Sequence, residues 1–468
     1  MNSDIAYASA TELRALLDRG EVSAVEVAKA SFDRISRLDP AIGAVVVARE
    51  EGALRDAEAA DAVPAAERGP LHGIPVLIKD ANETVDMPTS YGSRAMEGYL
   101  AGYDAVAVAR LRSAGMIVLG KSNSPEFGLR PTTENGVFGP TRNPWDPART
   151  AGGSSGGAAA ALALGLVPVA QGSDGGGSCR IPASCCGVVG FKPSRGRIPW
   201  APVAYEYWAG LATNGPLART VRDAGLLLDA MAGPVVGEPY GVYEATRTAG
   251  AGRPVVVGVC TTPPHGNVDP RITEAVQATA RALEASGCRV EEFELDLTGL
   301  ADPFMTVLEG NTAATVEGLV GDAGLHLLEG NTLALALRGK AKSAGDYAAA
   351  VSAMRNHSAR VMTDSERYDI VLTPTLSQVP PLIEGYPTQQ DHLGRWQEYL
   401  DWLAFTYPYN CTGQPAVSLP GGLTEDGLPM GIQLVGRMGD DAGVLAVAAL
   451  VEQARPWQQA YTQRFGSA

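Results

Sequence analysis

Apolar residues recur at helical spacing over Thr11–Leu17 and Val22–Leu38, and Ser9 or Thr11 and Ser23 stand where N-caps belong. A β-branched run at Ile42–Val47 predicts a short strand, and Ala48–Ala62 a charged helix. Pro70 and Pro75 bracket a turn into an apolar strand ending Val76-Leu-Ile-Lys79. A helix near Asp104–Ala114 leads to a second apolar strand, Met116–Leu119. The later half continues the alternation with a strand at Val255–Val259, a helix at Ile272–Ser286 and a strand at Cys288–Glu294. A long helical region over about Ala301–Met362 follows, then a buried strand at Ile370–Leu372 and strands and turns across Asn410–Leu434. This order predicts an α/β fold whose sheet is covered on both faces. We read one domain over residues 1–468, with an N-terminal helical part (1–62), a core (63–235) and a variable, substrate-shaping part ending in strands (250–468). The linker candidate is Arg247–Arg253. No internal repeat is evident.

Composition narrows the partners. With 468 residues there is ample chain for a large core, and 45% hydrophobic with 19% charged residues is ordinary for a globular enzyme. A formal net charge of −15 argues against a nucleic-acid or anionic membrane surface. The six cysteines form no CxxC pair, which points to a reduced, cytoplasmic setting. No apolar run reaches the ~20 residues of a membrane helix, and the N-terminus lacks a secretory pattern.

The chemistry concentrates in Thr150–Arg197. Two serine-bearing glycine clusters, Gly152–Gly157 and Gly172–Ser178, flank an alanine-rich segment that predicts a buried helix. Glycine is a poor core filler, but it lets backbone N–H groups point at an oxyanion. The N–H groups of Gly175, Gly176, Gly177 and Ser178 are the candidate oxyanion hole. Lys79, one of six lysines, ends an apolar strand, where desolvation favours the neutral amine a general base requires.

These blocks together resemble the amidase signature family: GGSSGG, the buried helix, GSDGGGSCRIPASCCGVVGFKPSRGR, and GIPVLIKD at Gly73–Asp80. GKSNSPEFG and TRNPWDPART resemble its flanking segments. The resemblance implies an α/β/α layered sandwich with a mixed central sheet and an acyl-enzyme amidase without a cofactor. It also implies Ser178 as nucleophile, Ser154 as a bridging serine on a cis peptide, and Lys79 as base. Ser154 and Ser178 are 24 residues apart; that offset favours Ser154 over Ser155, which reads as structural. Asp174 and Arg180 read as a structural ion pair or as hydrogen-bonding residues rather than direct participants, and Cys179 as a packing residue with redox sensitivity as its second reading.

Other readings are weaker. Gly115–Ser122 matches the P-loop pattern, yet its intervening residues are strand-like rather than glycine-rich. Gly152–Gly156 matches the nucleophile elbow, but no strand precedes it. That reading also needs a base from His265, His326, His357 or His392. His72 is a lone histidine, so no metal site is expected. A glutamyl-tRNA amidotransferase A subunit and a catalytically dead binding module are the remaining alternatives. For the substrate, the aromatic stretch containing Trp200, Tyr205, Tyr207 and Trp208 is expected to line a cleft. Phe304, Met305 and Leu308 are expected to join it. Neither stretch holds a cation, so an apolar or aryl small-molecule amide is expected, with carbamate or ester side activity and a homodimer as the candidate assembly.

Overall fold

The computed structural model describes residues 5–241, 248–250, 252–383 and 396–466. In chain order the strands are β1 (Val45–Ala48), β2 (Pro75–Lys79), β3 (Ile117–Ser122), β4 (Glu134–Asn135), β5 (Gly139–Pro140), β6 (Val169–Asp174) and β7 (Val189–Lys192). They continue with β8 (Thr213–Ala218), β9 (Val256–Val259), β10 (Arg289–Glu292), β11 (Ile370–Pro374), β12 (Ala416–Leu423) and β13 (Pro429–Gly436). β4 and β5 pair by themselves. Among the described residues the other eleven form one sheet, ordered β1-β3-β2-β6-β8-β7-β12-β13-β11-β9-β10.

The sheet is mixed, and its parallel part places the chemistry. β2 pairs in parallel with both β3 and β6. Parallel neighbours need crossovers, which the helices Val106–Ser113 and Gly156–Ala163 supply. The carboxyl ends of β2 and β6 therefore lie side by side, bringing Lys79 next to Ser173 and Asp174 although almost a hundred residues separate them. From β6 through β8, β7, β12 and β13 to β11 the pairing is antiparallel, and it returns to parallel at β11, β9 and β10.

Two groups of helices flank the sheet. Gly156–Ala163 packs on Arg180–Cys186, while Val221–Met231, Asp441–Ala454 and Pro270–Ala285 pack together elsewhere on the strands. Every residue of Gly156–Ala163 is buried, as the alanine run predicts. Its glycines admit close neighbours: a Cβ on Gly157 would come within 2.3 Å of Asn123 N and 2.5 Å of Ala44 O.

The N-terminal helices are capped by Ser9, not Thr11, and by Ser23, each completing a capping box with Glu12 or Glu26. The region expected as one helical run breaks into Ala301–Leu319, Gly321–Gly324, Leu325–Leu327, Gly330–Lys340 and Ala344–Ser365. Strand β8, Thr-Asn-Gly-Pro-Leu-Ala, carries no strand signal; it exists because both of its edges are paired, to β6 and β7. Part of the expected linker, Arg247 and Ala251, lies outside the described residues.

Candidate active site

Lys79 closes β2 with no solvent exposure. Its Nζ lies 2.6 Å from Ser154 Oγ and 2.9 Å from Ser173 Oγ, and its backbone N–H donates to Gln171 Oε1 at 3.0 Å. Burial pushes the amine down from 10.5 to about 8, against the opposing pull of Cys179 and Asp174. Desolvation alone does not single out this lysine. Burial likewise lowers Lys121 to about 8 and Lys192 to about 7. Lys121 Nζ, however, is held by Asn82 O and Thr89 Oγ1, and Lys192 Nζ by Pro193 O. Only Lys79, of these three, reaches a serine hydroxyl.

Ser154 follows a cis peptide bond from Gly153. Ser155 ties the two serine clusters together. Its hydroxyl donates to Ser173 O (3.1 Å) and accepts from Ser173 N (3.2 Å), and its N–H donates to Ser178 O (3.1 Å). Ser178, 8% exposed, sits between the end of β6 and the helix Arg180–Cys186.

The loop carrying Ser178 is braced from below. Arg180 donates through Nε and Nη2 to the Asp174 carboxylate at 3.0 and 2.9 Å, and neither side chain reaches solvent. Burial opposes ionisation of Asp174, but Arg180 outweighs it and holds the carboxyl down at about 2 from 3.8. Arg180 also donates to Thr406 O, Gln433 Oε1 and Asn410 Oδ1, so its charge is fully enclosed by acceptors. Asp174 in turn accepts the Gly177 N–H at 2.8 Å and the Cys179 N–H at 3.1 Å. This corrects the four-amide oxyanion hole: the Gly177 N–H is committed to Asp174. The amides of Gly175, Gly176 and Ser178 have no acceptor among the described residues. Cys179 is fully buried, and burial raises its thiol well above 9.0, the condition of a packing residue.

Aromatic side chains close over the same glycines. A Cβ on Gly175 would meet the Trp208 ring at 2.6 Å, and one on Gly176 would meet Phe304 at 3.1 Å. Trp200, Tyr207 and Trp208 form a continuous stack, with centroids 4.8 and 5.7 Å apart. The structure thus brings Trp208 and Phe304 to the loop, with Trp200 and Tyr207 behind Trp208. Tyr205 differs from expectation: it is 45% exposed, beside Gly237, because the turn directs it outward. Leu308 is buried in the core and Met305 packs at its edge, since Ala301–Leu319 packs against the neighbouring helices Gly330–Lys340 and Ala344–Ser365. Sequence reasoning missed Ser173, Thr406, Asn410, Tyr91 and Phe127. Ser173 stands in the second glycine cluster and Phe127 in the GKSNSPEFG block, the signals that were available.

The rival motifs dissolve in the fold. Gly115–Ser122 forms the turn into β3 and the strand itself, so it offers no phosphate loop. His265 pairs with Asp401 (2.8 Å) and Tyr407 (3.0 Å), and His72 with Ala60 O (2.9 Å), so neither serves a serine. His392 lies outside the described residues. Among the described residues no group of His, Cys, Asp and Glu could hold a metal, and no helix is long and apolar enough to cross a membrane.

Known proteins carry the same architecture. The chain is 37% identical over 465 residues to an acylamidase of Rhodococcus erythropolis, covering 96% of each. It superposes on the structure of 6-aminohexanoate cyclic dimer hydrolase with a TM-score of 0.90 and 34% identity, over 97% of this chain and 98% of that one. A bacterial aryl acylamidase of the amidase signature family gives a TM-score of 0.88 at 30% identity, covering 98% and 99%. The Amidase family matches residues 26–445, well beyond the quoted motifs. The chain therefore belongs to the amidase signature family, hydrolases of carbon–nitrogen bonds other than peptide bonds.

Proposed function

We propose that this enzyme cleaves its amide through an acyl-enzyme on Ser178, with Lys79 and Ser154 relaying the proton. The observation carrying the reading is the 2.6 Å contact of a fully buried, depressed lysine with Ser154 Oγ. The neutral Lys79 amine takes the Ser154 proton as Ser154 takes that of Ser178, whose oxygen bonds to the carbonyl carbon. The amides of Gly175, Gly176 and Ser178 receive the oxyanion. Collapse breaks the C–N bond as the relay returns its proton to the departing nitrogen. Water, activated by the same relay, then frees the acid. No step requires a cofactor.

The substrate we infer is an uncharged small-molecule amide with an apolar or aryl group, with carbamates and esters as side substrates. Trp208 and Phe304 on the glycine loop support this, as do relatives named for acyl and aryl amides and a cyclic amide dimer. A net charge of −15 supports a reading without nucleic acid, and six free, buried cysteines support a reducing, cytoplasmic setting. The assembly we would test first is a homodimer.

Labelling with a fluorophosphonate tests the mechanism. Wild type should gain one adduct, mapped to Ser178 by mass spectrometry, and Ser178→Ala none. An adduct on Ser154 would overturn the assignment.

A further inference from the structure

A leaving amine must come within hydrogen-bond reach of the group that protonates it. In the reaction proposed above that group is Ser154 Oγ. Gly128 faces it, and a Cβ there would stand 3.3 Å from Ser154 Oγ, so the missing side chain leaves space beside the proton donor. The residue before it, Phe127, donates its N–H to Tyr91 O at 2.8 Å, and the two rings stack with centroids 6.0 Å apart.

Backbone geometry sets this pair apart. Tyr91 (φ 52°) and Phe127 (φ 48°) are left-handed, and among the described residues the only other non-glycine residues so placed are Trp208 (φ 56°) and Ala209 (φ 52°). Bulky side chains hold such conformations only where their surroundings enforce them, and these residues gather at functional sites. Here they fall in two aromatic segments, one adjoining Ser154 and one adjoining Gly175. The segments converge on Glu83, a buried carboxyl that accepts the Tyr91 hydroxyl and whose charge raises Tyr207 after burial has done so.

We propose that Tyr91 and Phe127 wall the leaving-group side of the cleft, forming a slot for a flat, uncharged aromatic amine, while Trp208 and Phe304 bound the acyl side. The division follows from the chemistry. The acyl group stays on Ser178, whose loop touches Trp208 and Phe304, whereas the amine departs toward Ser154, beside Gly128 and Phe127. The proposal deepens the amide-hydrolysis reading and rests on it.

Two substrate series separate the sides: acetyl amides of aniline, methylamine and ammonia, and p-nitroanilides of acetic, butyric and octanoic acids. In Phe127→Leu and Tyr91→Leu the aniline-to-ammonia ratio of kcat/KM should fall at least tenfold, with the acyl-length profile keeping its shape. Phe304→Leu should do the reverse. A second measurement needs only wild type. Aniline should capture the acyl-enzyme more efficiently than the same concentration of methylamine free base. Equal capture, or a Phe127→Leu change that falls on acyl length as much as on the amine, overturns the slot alone. Wild type that turns over neither series overturns the amide reading and the slot with it.

Discussion

Asp174 and Arg180 form a doubly hydrogen-bonded ion pair, 3.0 and 2.9 Å, with neither side chain exposed, and the loop Gly175–Cys179 is the segment strung between them. The pair thus sets both ends of the loop that carries Ser178. Removing one member leaves an uncompensated buried charge, which costs about 3–5 kcal/mol. Arg180→Met should lower stability by that amount in urea unfolding and abolish fluorophosphonate labelling. The pH dependence has a definite sign. Asp174 is depressed from 3.8 to about 2, so its stabilisation is present above pH 3.8 and lost as pH falls through 2. Arg180→Met should flatten that acid limb.

In the proposed relay Lys79 acts only as the neutral amine. With the amine held at about 8, kcat/KM should rise tenfold per pH unit below that value and level off above it. Lys79→Ala should reduce turnover by several orders of magnitude. Lys79→Arg should fail nearly as badly, because guanidinium does not give up its proton in this range. An arginine variant with near wild-type kcat would refute the relay.

Gly175 is the closest approach of loop to aromatic wall. Its Cβ would meet Trp208 Cζ3 at 2.6 Å, whereas that of Gly176 would meet Phe304 Cζ at 3.1 Å. Gly175→Ala should therefore displace Trp208 and cost about 1–3 kcal/mol. Gly176→Ala should cost less. Tryptophan fluorescence and thermal unfolding read both effects.

For the substrate, kcat/KM for a neutral aryl amide should exceed that for glutamine or malonamate by at least tenfold. The walls at the glycine loop are Trp208 and Phe304, which offer no charge to a polar acyl group. A preference for either polar substrate would refute the apolar pocket.

The chain by itself determined the elements with strong local signals. The apolar runs at β2 and β3 must be buried, the alanine run must pack as a helix among close neighbours, and Ser9 and Ser23 begin helices through contacts only three residues long. The glycine clusters and Lys79 were legible because their residue types suit little else. What the chain alone did not decide rests on contacts between distant segments. β8 is a strand only because β6 and β7 pair with it. Lys121 and Lys192 are as desolvated as Lys79, and only the adjacency of parallel β2 and β6 puts Lys79 against Ser173. The Gly177 N–H is withdrawn from the candidate oxyanion set by its bond to Asp174, which also meets Arg180, and Tyr91 joins Phe127 through loops that sequence order keeps apart. Burial and hydrogen-bond partners are properties of the packed chain, and local pattern carries no record of them.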